Sequence, residues 1–132
     1  MRLLNYIPDI DRPQTQFNKL DPLLQAVYFD AANFLYTHFG KSFLITSIYR
    51  DGNPHSVHAY YRGLDVGVCE GLAYEGGVLP MEMEIVASYI NKTYRYNPAN
   101  NKYVFFYGDR DPNKNHWNHG HIQTSIHTIK NP

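Results

Sequence analysis

Residues 119–126 read HGHIQTSI. The run alternates: His121, Gln123 and Ser125 fall on one side of an extended chain, Ile122, Thr124 and Ile126 on the other. One polar face and one apolar face is the signature of a strand in an antiparallel sheet, with a core on one side only. Three more stretches read as strands. Residues 102–107 (KYVFFY) end at Gly108, residues 63–68 (GLDVGV) carry Asp65, and residues 41–50 (KSFLITSIYR) are apolar and β-branched before the turn residues Asp51-Gly52-Asn53-Pro54.

Two helices separate these strands. Asp21 can cap the first, Pro22 fits its first position, and Leu24, Val27, Tyr28, Ala31, Phe34 and Leu35 recur at helical spacing up to a stop at Gly40. Pro80 opens the second, in which Met83, Val86, Ala87 and Ile90 share a face. Residues 1–19 read as an extended or irregular arm, 69–79 as a glycine-containing loop and 94–101 as turns. The order is helix, strand, strand, helix, strand, strand. It predicts an α+β fold, an antiparallel sheet of about four strands with helices packed on one face. No repeat or linker interrupts residues 1–132, which read as a single domain.

Composition narrows the function classes. Of 132 residues 43% are apolar, and twelve basic side chains balance twelve acidic ones. A neutral chain lacks the basic surface that nucleic-acid binding requires. No apolar run approaches the roughly 20 residues of a membrane span, so no membrane insertion is expected. The start, MRLLNYIPDIDRP, has a broken apolar stretch and does not read as a secretory signal. Cys69 is the lone cysteine and reads as a small buried apolar residue.

Seven histidines direct the search, four of them in the last 17 residues. Hydrolytic zinc sites take three ligands from His, Asp or Glu and leave a fourth position for water. Two segments offer such donors. In SVHAYYRGLDVGV, His58 ends a loop and Asp65 follows on a strand, entered through a bend at Arg62-Gly63. In HWNHGHIQT, His119 and His121 lie two apart on one face, and Gly120 between them leaves room for a close approach. His38 suits the C-terminal end of its helix, and His55 and His127 read as exposed.

The run ITSIYRDGNPHSVHAYYRGLDVGV resembles the first signature of the D-alanyl-D-alanine carboxypeptidase and L-alanyl-D-glutamate peptidase family, through Ser47, Arg50, Ser56, His58, Gly63 and Asp65. WNHGHIQT resembles the second signature. The wider group includes lysostaphin-type endopeptidases and the zinc domain of hedgehog proteins. The resemblance implies zinc held by His58, Asp65 and His121, with Arg50 binding the substrate carbonyl or the developing oxyanion and Ser56 holding a substrate carboxylate or supporting His58. Carboxypeptidase-type members place an acidic base three residues before the last zinc ligand, where this chain has Asn118. In the His-x-His branch a histidine serves instead, and His119 matches it. A second alignment makes His119 the ligand and puts His116 in place of the acid.

The expected activity is hydrolysis of an amide bond in peptidoglycan peptides, by a monomer. The chain would be cytoplasmic as synthesised and released to the wall, as phage or prophage endolysins are. A non-catalytic zinc-binding module, or a phage structural or assembly protein that keeps the fold, are the alternative expectations.

Overall fold

The computed structural model describes residues 4–49, 57–67, 78–100, 102–107 and 119–132, except for the side chains of residues 58 and 59. Three helices, α1 (Pro13–Asn18), α2 (Pro22–Phe39) and α3 (Pro80–Thr93), accompany strands β1 (Leu44–Ser47), β2 (Gly63–Gly67), β3 (Tyr94–Arg95), β4 (Phe105–Phe106), β5 (His119–Gln123) and β6 (Ile129–Lys130). Four strands form one sheet in the order β1-β2-β5-β4, and every neighbouring pair is antiparallel. The fold is therefore α+β, a four-stranded antiparallel sheet with helices packed against it. β3 and β6 make a separate two-stranded ribbon. Among the described residues no helix is long and apolar enough to cross a membrane.

The helices sit where their end signals place them. Pro22 and Pro80 both stand in the first turn, where the missing N–H has no intrahelical partner to lose. α2 stops at Gly40, whose φ of 67° lets its N–H reach the Tyr36 carbonyl. Asp21 occupies the position before α2, but its side chain caps nothing. Its carboxylate instead accepts from the Thr124 hydroxyl at 2.9 Å, tying the start of α2 to the chain just beyond β5. In α3 the Glu82 carboxylate accepts from the Leu79 N–H at 2.8 Å and from Lys41 Nζ at 2.6 Å.

The arm before α2 is only partly irregular. Residues 5–7 run beside β1, with Ile45 N–H bonded to the Asn5 carbonyl and Ile7 N–H to the Ile45 carbonyl. Residues 13–18 then form the short α1 instead of an irregular lead-in. Its Phe17 is buried against Tyr28 and Phe29 of α2, with both ring centroids 5.6 Å away.

The sheet has one dry face. Ile45, Leu64, Val66, Phe105 and Ile122 are all fully buried in the core with α2 and α3. Gly120 belongs to this face: a Cβ there would stand 2.8 Å from Phe105 Cε1 and 3.0 Å from Met83 Sδ. The close approach that this glycine permits is therefore that of the β4 ring and of α3. Asn91 of α3 completes the attachment. Its amide oxygen accepts from the N–H groups of Val104 and Phe105 at 3.0 Å each, and its amide nitrogen donates to the Phe105 carbonyl at 2.9 Å. A helix side chain thus supplies β4 with partners that a further strand would otherwise provide.

Asp30 of α2 ties the ribbon to the helices, accepting from Tyr89 at 2.8 Å and from Tyr94 at 3.0 Å. Burial, and then the Asp30 carboxylate, push the Tyr94 phenol up to about 12. A phenol whose folded pKa lies above its unfolded value stabilises the fold fully below pH about 10. That contribution disappears as the pH rises towards 12, because the unfolded chain ionises first.

Two consequences can be measured. Gly120→Ala forces the Phe105 ring and Met83 aside and is expected to cost about 1–3 kcal/mol in urea unfolding; an unchanged midpoint would refute the close packing. Tyr94→Phe is expected to flatten the loss of stability between pH 10 and 12, followed by circular dichroism. An equally steep loss in the variant would assign the alkaline transition to other tyrosines.

Candidate functional site

The polar face of the sheet is built by the pairing of β2 with β5. Register places Asp65 directly opposite His121, Gly63 opposite Gln123 and Gly67 opposite His119. On this face β2 therefore presents Gly-Asp-Gly against His-His-Gln of β5. The two glycines offer no cross-strand side chain, so His119 and Gln123 flank Asp65 and His121 without a facing neighbour on β2. Ser47 of β1 pairs with Asp65 from the other side, next to an irregularity in the β1–β2 ladder. Phe106 of β4 pairs with His121, and their rings lie 5.6 Å apart.

Distances follow from the register. His121 Nδ1 lies 2.9 Å from Asp65 Oδ1, and His119 Nε2 lies 3.9 Å from Asp65 Oδ2. Asp65 and His121 are buried, 3% and 7% exposed, and His119 is half-buried at the rim. A buried carboxylate left without a partner would cost several kcal/mol, so the two imidazoles are part of what lets Asp65 stay there.

Gln123 approaches the other ring nitrogen of His121. Its amide nitrogen donates to the Tyr103 carbonyl at 3.0 Å, and its oxygen lies 3.3 Å from His121 Nε2. The ring of His121 is thus held between the Gln123 amide at Nε2 and the Asp65 carboxylate at Nδ1. A hydrogen on Nδ1 donated to Asp65 accounts for the 2.9 Å contact, and a metal ion could take the same two atoms as ligands.

The donor types suit zinc, which takes imidazole nitrogen and carboxylate oxygen at about 2.0–2.2 Å, so that adjacent ligand atoms stand roughly 3.3 Å apart. The Asp65 Oδ1–His121 Nδ1 separation of 2.9 Å is shorter than that value, so the pair would open slightly to take the metal. Among the described residues no three His, Cys, Asp or Glu side chains are gathered as a metal-holding group. Asp65 and His121 supply two donors, and a third would come from elsewhere.

His58, expected as that third donor, lies in the 3-10 turn Val57–Tyr60, and its side chain is outside the described residues. The turn is held onto β2 by Arg62 N–H, which donates to the Val57 carbonyl at 3.0 Å. The chain reverses at Tyr61, whose φ is 57°, one residue before the expected Arg62-Gly63 bend. The Tyr61 ring stacks on Tyr49 at 4.6 Å, and its carbonyl accepts from Asp21 N–H. A left-handed tyrosine costs about 1–2 kcal/mol, and these contacts hold it in place.

Arg50 and Ser56, expected at the substrate, lie outside the described residues, as do His55, Cys69, His116 and Asn118. His127 is exposed, as expected. His38 stands exposed in the last turn of α2, its ring 4.2 Å from Phe34. Gln123, Tyr103 and Phe106 join the site without having been assigned a role by sequence. For Gln123 the signal was present, since it stands two residues after His121 on the same face.

Replacing Gln123 by Leu removes the polar group that faces His121 Nε2 and leaves the Asp65 contact at Nδ1. The imidazole nitrogen resonances of His121 should therefore differ between the native chain and Gln123→Leu. Identical ring spectra in both would remove Gln123 from its positioning role.

No protein-family model, curated protein or solved structure matches this chain, and its chemistry is read from Asp65, His119, His121 and Gln123 themselves.

Proposed function

We propose that the chain is a zinc-dependent hydrolase of amide bonds in peptidoglycan peptides. The observation that carries the reading is the buried Asp65–His121 pair, placed opposite one another in the β2–β5 register with His119 beside the same carboxylate. It agrees with the resemblance of the two sequence segments to the D-alanyl-D-alanine and L-alanyl-D-glutamate peptidase signatures. Asp65 Oδ1, His121 Nδ1 and the His58 imidazole would hold the metal. Zinc would supply Lewis acidity and lower the pKa of water.

The remaining roles fall to this chain's own side chains. Gln123, held by the Tyr103 carbonyl, would keep Nε2 of His121 engaged, so that Nδ1 faces Asp65. The second oxygen of the Asp65 carboxylate lies 3.9 Å from the His119 imidazole at the rim of the site. From there His119 would take a proton from the attacking water and return it to the leaving amine. Arg50 would present guanidinium donors to the oxygen on which negative charge develops.

A second reading, a zinc-binding module without catalysis, is favoured by Asn118 at the position of the usual acidic base. One set of measurements separates the two: zinc per chain, and lysis of purified cell wall, in the native protein and in His58→Ala, Asp65→Ala, His121→Ala and His119→Ala. The expected outcome is about one zinc per chain. The metal should be lost in the first three variants and retained without lysis in His119→Ala. Zinc without any release of wall peptide would establish the binding module, and absence of zinc would defeat both readings.

A further inference from the structure

At the β4 edge of the sheet lies a cleft of about 470 Å³ between the end of α3, β3, the turn that follows it and the start of β4. Its lining includes Arg95, Lys102, Asn100, Asn131 and Tyr103, and among the described residues that line it none is acidic. Alternation along β3 turns Tyr94 inward to Asp30 and leaves Arg95 exposed at the cleft. The Asn97–Asn100 turn is closed by Asn100 N–H on the Asn97 carbonyl, and the Asn100 side chain accepts from the Lys102 N–H at 3.0 Å. That bond fixes the backbone from which Lys102 projects. Neither Arg95 nor Lys102 has an ion-pair partner for its charged group among the described residues.

The described lining of the cleft is one-sided in charge, with Arg95 and Lys102 as its two charged side chains, even though the chain is neutral. Cations gathered at a concave surface attract anions, and the flanking amides and phenol supply the neutral donors that complete a polar subsite.

The cleft also shares a wall with the candidate site. The Tyr103 carbonyl holds Gln123, which holds His121. The Tyr103 ring meets Phe106 at 6.4 Å, and Phe106 meets His121 at 5.6 Å. Tyr103 is thus the residue common to the cleft and to the surroundings of His121.

We infer that this cleft is a second anchoring subsite, in which Arg95 and Lys102 bind a free carboxylate of an extended peptide ligand. That the ligand is a peptide rests on the peptidase reading above; that the cleft takes an anion rests on its lining and charge. Tyr103 connects the two sites, so occupancy of the cleft would fix how the peptide lies across Asp65 and His121.

The test is a binding titration of the whole chain with a chelator present, so that no turnover competes. The probes are a synthetic stem peptide, L-Ala-D-Glu-L-Lys-D-Ala with free carboxylates, and its fully amidated form. The proteins are the native chain and Arg95→Gln/Lys102→Gln. Removing both cations should weaken binding of the free acid roughly tenfold, the scale of a charge-assisted pair. Amidation should do the same in the native chain and change little in the double variant. The amidated probe tests the contact without altering the protein. Affinity unchanged by the double substitution or by amidation overturns the inference. So does inorganic phosphate displacing the peptide at equal concentration, which would make the cleft a phosphate site. Binding that depends on both cations in a chain that holds no zinc and releases no wall peptide would sustain the subsite and defeat the peptidase reading alone.

Discussion

The register between β2 and β5 is the constraint on which everything else rests. It sets Leu64 against Ile122 on the dry face and Asp65 against His121 on the polar one. Side chains alternate along a strand, so a slip of one residue would turn Asp65 into the core and Leu64 towards the histidines. The core resists that slip. Leu64, Val66 and Ile122 are fully buried, and Gly120 admits a phenyl ring and a methionine sulfur where any larger residue would collide. Apolar packing on one face thus fixes the positions of polar groups on the other. The energy is on the helix side and the chemistry on the opposite side.

The rest of the structure pins this pair of strands at its ends. Beyond Gln123 the pairing with β2 carries on for one more residue, as the Thr124 N–H donates to the Arg62 carbonyl, and the Thr124 hydroxyl donates to Asp21. Asp21 also donates its N–H to Tyr61, the residue that reverses the chain into β2. The start of α2, the entrance to β2 and the exit from β5 therefore meet at one residue, Asp21, through its N–H and its carboxylate. On the far edge Asn91 holds β4 from within α3, and β4 in turn places Phe106 against His121. Each of these attachments is a satisfied polar group, so the site is positioned by bonds that would be expensive to leave unmade.

Much of this architecture was legible in the sequence, and the gaps have physical causes. α2 and α3 announce themselves because proline, glycine and a helical stripe of apolar residues coincide, and Met83, Val86, Ala87 and Ile90 are indeed the buried face of α3. α1 escaped because a six-residue helix with one buried side chain, Phe17, has no periodicity to read. Strand lengths were over-read for a different reason. The apolar run at 102–107 contains only two ladder residues; at Val104 the carbonyl still accepts from the Gln123 N–H, but its own N–H goes to Asn91. Such side-chain competition is invisible until the helix and strand are brought together. β3 and β6 are two residues each, too short for alternation to show. At the site, same-face spacing put His119, His121 and Gln123 together on β5. The pairing of Asp65 with His121 required a register that no local pattern specifies.

A polar pair at this position makes little sense as a device for stability. β2 and β5 are the two central strands of the sheet, and a buried ion pair can usually be replaced by packed apolar side chains at no loss, sometimes with a gain. This chain instead keeps a carboxylate that is 3% exposed, brings two imidazoles towards its two oxygens, and uses Gln123 and the Tyr103 carbonyl to decide which nitrogen faces it. Glycines at 63 and 67 keep the cross-strand positions beside His119 and Gln123 free of side chains. None of these features improves the packing of the core beneath. Together they bring a carboxylate and two imidazoles to one point between the central strands, and these are donor types that zinc takes as ligands.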